Sequence, residues 1–287
     1  MEKKILILGA KGMLGSDLAQ VFSGKNPVCF DRSDLDITDE KQVKEKIKLI
    51  KPEIIINAAG FTDVEGAEEN CGSAFKVNGD AVGYLAQAAE DNNAILVHYS
   101  TEYVFDGRNK NGYSEEELPN PLNNYGKSKA MGERLLSENC RNFYLIRSSW
   151  LYGKSRQKGK PRGVNFVDVM FELSRKQEKI EVVNDQYGRP TFSYDLAKAT
   201  RDLLENNAPC GIYHLVNESL SCGVSWFELA QEAFRIKGVK IPIIPVATLK
   251  RRQKVNRPAH GVLLNTKFKK LRPWQEALKN YLNDKLI

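Results

Sequence analysis

Tyr125 and Lys129 stand four residues apart in the run Tyr125-Gly-Lys-Ser-Lys129. Residues at i and i+4 share one face of a helix. Asn123 and Asn124 just before them are good helix caps, and residues 128–136 continue with a helical period. A free phenol has a pKa of about 10 and exchanges protons poorly near neutrality. A cation fixed beside it favours the phenolate and lowers that value, which makes the pair a general acid/base. Spacing alone also fits a tyrosine lying along a solvated face, so the assignment depends on what else the chain carries.

Elements that could position such a pair follow from hydrophobic patterning. The chain has 287 residues, 41% hydrophobic and 28% charged, a globular composition with room for one large or two moderate domains. Residues 5–8, 54–56 and 94–97 are short, continuous apolar runs, the mark of strands buried on both faces of a parallel sheet. Helical patterns at 16–22, 40–49 and 74–92 lie between them, and 143–146 reads as a further strand. This alternation predicts an α/β fold, a Rossmann-like doubly wound parallel sheet. The division expected is residues 1–150 for dinucleotide binding and 151–287 mainly for a smaller α/β substrate lobe, with parts of the chain crossing back to the sheet. In the second half, helices are expected near 166–178, 194–206 and 225–236, with strands near 180–183 and 212–216.

Gly9, Gly12 and Gly15 form a GxxGxxG motif between the first strand and the first helix. Glycines here allow a tight turn and close approach of backbone to a pyrophosphate at the helix N-terminus. The second strand, expected over 27–32, ends in Asp31, about 20 residues after the loop, where a carboxylate accepts from the adenosine ribose of NAD(H). Arg32 beside it could pair instead with the 2′-phosphate of NADP(H). The two residues argue in opposite directions and leave the choice between NADH and NADPH open. Asp36-Ile37 could lie against the adenine, or simply end a loop.

In open α/β sheets ligands bind beyond the carboxyl ends of the strands. Two such ends are distinctive. Asn57-Ala-Ala-Gly60-Phe61-Thr62 has small residues that let a cofactor ring approach, and Tyr99-Ser-Thr101-Glu102 brings a hydroxyl toward Tyr125. A threonine, a tyrosine and a lysine behind a dinucleotide loop form a constellation for hydride transfer at a carbinol carbon.

Several function classes are disfavoured. No apolar run reaches membrane-spanning length, and the short N-terminal run lacks the features of a signal peptide. Five widely spaced cysteines without CxxC fit reduced, cytoplasmic thiols. His98, His214 and His260 lack metal-ligand spacing, so no metal site is expected. The net charge of +7 gathers at 154–162 and 250–254 without interleaved aromatics, which argues against nucleic acid. These clusters are either solvated loops or capture surfaces for an anionic small molecule.

With these motifs the chain resembles the extended short-chain dehydrogenase/reductases, and within them the dTDP-4-dehydrorhamnose reductases. The resemblance runs along nearly the whole chain. It rests on Gly9 to Gly15, the stretch from Asn57 to Glu68, His98 to Phe105, Pro121 to Lys129, Arg147 to Gly153, Asn184-Asp-Gln-Tyr-Gly-Arg-Pro-Thr191 and Arg257-Pro258. It implies reduction of the C4 ketone of a dTDP-6-deoxy-hexulose by NADH or NADPH. Tyr125 would then protonate the developing alkoxide, Lys129 would depress its pKa and hold the nicotinamide ribose, and Thr101 would polarise the carbonyl. The same match implies that Gly12, Met13, Leu14, Asp31, Asp36, Ile37, Gly60, Phe61, Thr62 and Tyr99 line the cofactor. Glu102 and Trp150 would contact the sugar.

The chain departs from the family in Glu102, one methylene longer than the usual Asp, in Glu65, in Ala259-His-Gly-Val after Arg257-Pro258, and in a longer, more basic 153–165 stretch. Rival readings on the same scaffold are a nucleotide-sugar 4-epimerase or dehydratase, and a silent subunit like the regulatory subunit of methionine adenosyltransferase. A homodimer and a divalent cation such as Mg2+ are left open by the sequence. One hypothesis is that the basic loop folds over the nucleotide diphosphate. Neutralising Lys154, Arg156, Lys158, Lys160 and Arg162 should then raise the substrate KM in steady-state kinetics and leave cofactor affinity unchanged; an unaltered KM removes the idea.

Overall fold

A computed structural model describes residues 3–156, 163–220, 222–250 and 254–283. Most of the basic stretch at 154–162 and the middle of that at 250–254 therefore lie outside the described residues.

Six strands form one parallel sheet: β1 (Ile5–Leu8), β2 (Val28–Phe30), β3 (Ile54–Asn57), β4 (Ile95–Thr101), β5 (Phe143–Ser148) and β6 (Gly211–His214). Their order is β6-β5-β4-β3-β1-β2, every neighbouring pair parallel. The chain leaves β1 toward one edge and returns to β3 on its other side. That reversal makes the β1/β3 junction the switch point where a doubly wound sheet opens a crevice.

The apolar runs are continuous because both faces are covered. Ile5, Ile7, Ile54, Ile56, Val97 and Ile146 pack on one side against α1 (Met13–Val21) and a helix at Ser193–Glu205. Leu6, Leu8, Ile55, Leu96 and Leu145 pack on the other, against α2 (Glu40–Ile50), α3 (Ala81–Asp91) and α4 (Asn124–Asn139). Each such side chain contributes ~1.5–3 kcal/mol on burial. The expected helix over 74–92 is broken: a helix at Cys71–Phe75 passes through a π turn at Lys76–Asp80 into α3.

Beyond β5 the chain forms a second cluster. Here α5 (Phe166–Ser174), α7 (Trp226–Lys237) and α8 (Trp274–Asn283) enter, α6 (Ser193–Glu205) lies between them in the chain, and Tyr152, Phe171, Val182, Phe234, Leu278 and Tyr281 pack together. Neither α6 nor β6 stays in this lobe, since α6 covers the main sheet and β6 extends it. Among the described residues no helix is long and apolar enough to cross a membrane.

One polar contact pierces the apolar layer between α4 and β5. Arg147 donates to Glu133 through Nη2 at 2.7 Å and Nε at 3.0 Å, with both side chains buried. Arg147 also lies 5.0 Å over the Phe105 ring. Removing one member of such a pair strands a buried charge. Glu133→Gln should therefore lower the unfolding free energy by ~3–5 kcal/mol, measured by urea denaturation; a loss far smaller would show that the pair is not needed to seat α4.

Candidate active site

The glycine loop is shaped by its packing. Gly9 adopts φ +71°, and a Cβ there would sit 2.8 Å from the Ala59 nitrogen. A Cβ on Gly15 would fall within 2.0 Å of the Gly9 carbonyl. Only glycine lets α1 start this close to β1 and lets both touch the end of β3. Gly12 is the N-cap of α1 and has no side chain to cap it, and Met13 and Leu14 in the first turn are buried. At the end of β2, Lys11 lies 3.6 Å from Asp31, and the largely exposed Arg32 lies 3.6 Å from Asp36. Asp36 accepts from the Thr38 N–H and hydroxyl, which hold its carboxyl below the usual range. The Ile37 side chain is taken up by the core under α2.

Past β3, Asn78 clamps the segment Gly60, Phe61 and Thr62. Its Oδ1 accepts from the Phe61 N–H at 2.9 Å, and its Nδ2 donates to the Phe61 carbonyl and to Ser128 Oγ. Asn78 sits in the π turn, whose extra residue re-aims a side chain that an unbroken helix would direct elsewhere. The sequence reading missed it because a π turn leaves no periodic signature.

Tyr125 enters on the first turn of α4, where Asn123 Oδ1 accepts from the Gly126 N–H at 2.8 Å. Gly126 is required there, since a Cβ would meet the Tyr103 carbonyl at 2.2 Å. The Tyr125 ring meets Tyr103 edge-on at 5.4 Å. Thr101, the last residue of β4, donates to Glu102 Oε2 at 2.8 Å and also hydrogen-bonds the Tyr125 phenol. Thr101, Glu102 and Tyr125 thus converge on one spot at the carboxyl end of the sheet. Burial pushes the phenol pKa well up, the Glu102 carboxylate adds to this, and the Thr101 hydrogen bond opposes both.

Lys129 shares the α4 face of Tyr125, but its amine points into the sheet. It donates to the Tyr99 carbonyl at 2.5 Å and lies 3.4 Å from His98 Nε2. Here the lysine does not lower the tyrosine pKa as the spacing suggests, and its own is brought down to about 8 by burial against the opposing pull of Glu133. Tyr99 contributes that carbonyl; its ring is buried on the opposite face, bonded to Thr200 at 2.9 Å.

Trp150 stands just past the end of β5. Its φ of +46° is strained for a bulky side chain. The ring stacks at 3.4 Å on Trp226, and a Cβ on Gly188 would fall within 2.5 Å of it. The Asn184-to-Thr191 segment holds this corner together. Asp185 accepts from Thr248, Tyr187 stacks on His260 at 5.1 Å, and the Gly261 N–H donates to the Tyr187 carbonyl. Gly261 in turn lies against Glu102, where a Cβ would come 2.7 Å from Cγ. Arg257 donates to the Tyr103 hydroxyl at 2.8 Å and reaches Glu65 at 3.3 Å. Trp226, Arg257, Tyr187 and Gly261 could not be placed at this site from sequence, since nothing local ties them to Glu102 or Tyr125.

A family model described as RmlD substrate binding domain matches residues 3–287. A dTDP-4-dehydrorhamnose reductase of Aggregatibacter actinomycetemcomitans is 38% identical, over 96% of this chain and 97% of that protein. The spore coat polysaccharide biosynthesis protein SpsK of Bacillus subtilis is 34% identical over 98% of both. Among solved structures, dTDP-4-dehydrorhamnose reductase from Bacillus anthracis in complex with NADP superposes with a TM-score of 0.92. That match is at 33% identity and covers 99% of this chain and 100% of the other.

His98 and His214 supply a pH test of the site's frame. Burial, helped by the Lys129 charge, holds His98 well below its ordinary value; burial and Arg147 bring His214 down to about 3. Unfolded, both bind protons below about pH 6.5. The unfolded chain therefore takes up more protons as pH falls, and folding stability falls with it. Between pH 7 and pH 5 the loss should be roughly 2–4 kcal/mol, read from urea midpoints; a flat profile over that window would contradict the buried neutral assignment.

Proposed function

The chain belongs to the RmlD substrate binding domain family, and from that premise we propose that it is an NADPH-dependent oxidoreductase. It reduces the C4 ketone of dTDP-4-dehydro-6-deoxy-L-mannose to dTDP-L-rhamnose. The observation that carries the reading is the convergence of Thr101, Glu102 and Tyr125 at the end of β4, beside a glycine loop built for a dinucleotide.

The loop fits such a group. Its glycines leave space that a Cβ would fill, and the uncapped N-terminus of α1 offers N–H groups to a pyrophosphate. Lys11 beside Asp31 offsets the acid's charge, and Arg32 is free of the core, so a 2′-phosphate would meet two cations there. Gly9, Gly12, Met13, Leu14, Gly15, Arg32 and the segment 60–62 are the residues that would hold NADPH. The cofactor, when bound, supplies the hydride that C4 receives.

The residues of the chain handle the oxygen. The Thr101 hydroxyl donates to the C4 carbonyl and favours negative charge on it. Tyr125 then gives its proton to the alkoxide. A pKa raised by burial suits this role, since the phenol stays protonated until a stronger base forms beside it. A charged Lys129 turned toward Tyr125 would favour the phenolate left behind. Without substrate the single Thr101 hydroxyl hydrogen is given to Glu102, so it must turn from Glu102 to the C4 oxygen when the sugar binds. Trp150, held by Trp226 and Gly188, forms a rigid wall for the sugar face.

Purified chain supplied with NADPH and the 4-keto sugar nucleotide, generated by a 4,6-dehydratase and a 3,5-epimerase, should oxidise NADPH in step with rhamnose formation. An epimerase would show no net oxidation. Tyr125→Phe should lose about 10²–10⁴-fold in kcat with its Kd for NADPH kept. Retained kcat would remove Tyr125 as the proton donor.

A further inference from the structure

Two departures from the family that stand far apart in the sequence, Glu102 and the tail Ala259-His-Gly-Val, meet in the structure at Gly261. Gly261 has no left-handed φ, so backbone strain does not require glycine there. What excludes a side chain is a neighbour. A Cβ at 261 would lie 2.7 Å from Glu102 Cγ and 3.5 Å from Glu102 Cβ. Carbon atoms pack at about 3.5–4.0 Å, so the first of these distances is an overlap. The other neighbour, the Tyr187 carbonyl at 3.7 Å, would make an ordinary contact. The glycine is therefore fitted to the stem of one side chain.

Both backbones are pinned. The Tyr187 N–H donates to the Ala259 carbonyl at 2.8 Å, and the Gly261 N–H donates to the Tyr187 carbonyl at 2.7 Å. The His260 N–H donates to the Gly107 carbonyl at 3.1 Å, and the Val262 carbonyl accepts from the Tyr113 N–H at 2.8 Å. On the other side, Glu102 opens a short 3-10 turn, in which its carbonyl accepts from the Phe105 N–H at 3.1 Å. The Glu102 side chain is 3% exposed, and Oε2 accepts from Thr101. Cγ stands close to the root of that side chain. It moves by turning χ1, which carries the carboxylate away with it. Thr101 cannot follow, because its Oγ1 also accepts from the Tyr103 N–H at 3.2 Å.

We propose that Gly261 is a positioning residue for Glu102: the side chain missing at 261 is the space through which the longer acid brings its carboxylate to Thr101. The proposal rests on the reading of Thr101, Glu102 and Tyr125 as the groups that face the sugar. A side chain at 261 displaces Cγ, and the carboxylate then leaves the place from which the Thr101 hydrogen turns to the C4 oxygen. Glu102 and Gly261 thus form one compensated pair, and the residue at 261 acts on the sugar through the acid. The neighbours of Gly261, Glu102 and Tyr187, are not among the residues that would hold NADPH, so cofactor affinity is left alone.

The test is a double-mutant cycle on the full chain with Gly261→Ala, Glu102→Ala and the two together. It is read as kcat/KM for the 4-keto sugar nucleotide and as Kd for NADPH. Gly261→Ala alone should lower kcat/KM at least about tenfold, with Kd unchanged. In the Glu102→Ala background, where Cγ is absent, the same change should cost less than about twofold. An equal loss in both backgrounds would overturn the proposal, as would no loss in the unmutated one. Urea midpoints of the same four proteins give a second readout. Gly261→Ala should lower the midpoint when Glu102 is present and leave it unchanged in the Glu102→Ala background. Coupling in the midpoints with none in kcat/KM would reduce the contact to packing and sink the positioning role. An unmutated chain that leaves NADPH unoxidised with this substrate would instead remove the functional reading, and the urea cycle would still decide whether Gly261 is fitted to Glu102.

Discussion

The seating of helix α4 on strands β4 and β5 is the constraint on which the site depends. A helix packed on a sheet by apolar contacts alone can slide by a fraction of a turn at little cost. Here the layer is interrupted by contacts that admit one register. Glu133 is fixed to Arg147, Lys129 to the Tyr99 carbonyl, and Ser128 to Asn78. Two glycines bring backbones together: a Cβ on Gly126 would strike the Tyr103 carbonyl, and one on Gly132 the Asn78 carbonyl. Each contact would be lost by a shift of about an ångström. The Tyr125 hydroxyl is therefore held opposite Thr101 by the whole length of the helix and needs no restraint of its own.

The second half of the chain completes the opposite wall by a different means. The Asn184-to-Thr191 segment is short and irregular, yet it touches Trp150, the 259–261 tail and, through Gly261, Glu102. The positive φ of Trp150 fits this setting, because the ring is clamped between Trp226 and Gly188 and the stack can hold a backbone conformation that costs of order 1–3 kcal/mol. The longer Glu102 is accommodated by the same contact, its Cγ lying where a residue larger than glycine at 261 would put its Cβ. This corner explains why that motif is specific in a way no general rule of the fold requires.

Legibility in the sequence tracked the range of the interactions involved. The continuous apolar runs at 5–8 and 54–56 mark buried parallel strands because both their faces are covered, and the glycine loop follows from the sterics of one βα turn. The i,i+4 relation of Tyr125 and Lys129 is likewise local, and α4 realises it. The direction of the lysine amine was not legible, since it is set by a carbonyl and an imidazole on another element. The π turn that aims Asn78 was hidden inside a stretch whose periodicity reads as one helix. The family resemblance implies that Tyr99 and Ile37 line the cofactor. Strand alternation and core packing direct the side chains elsewhere.

The sequence by itself determined the order of strands and helices, the dinucleotide loop and the types of the reacting groups, because propensity, period and turn chemistry act over a few residues. Tertiary structure decided which way those groups point and what charge they carry. The Tyr125 phenol is raised by burial beside Glu102, and Lys129 is turned toward Tyr99 and His98. Trp150 is locked by a residue 76 positions later in the chain. Burial and hydrogen-bond polarity arise only when distant segments meet, and the pKa values and directions that make a tyrosine a proton donor are properties of that meeting.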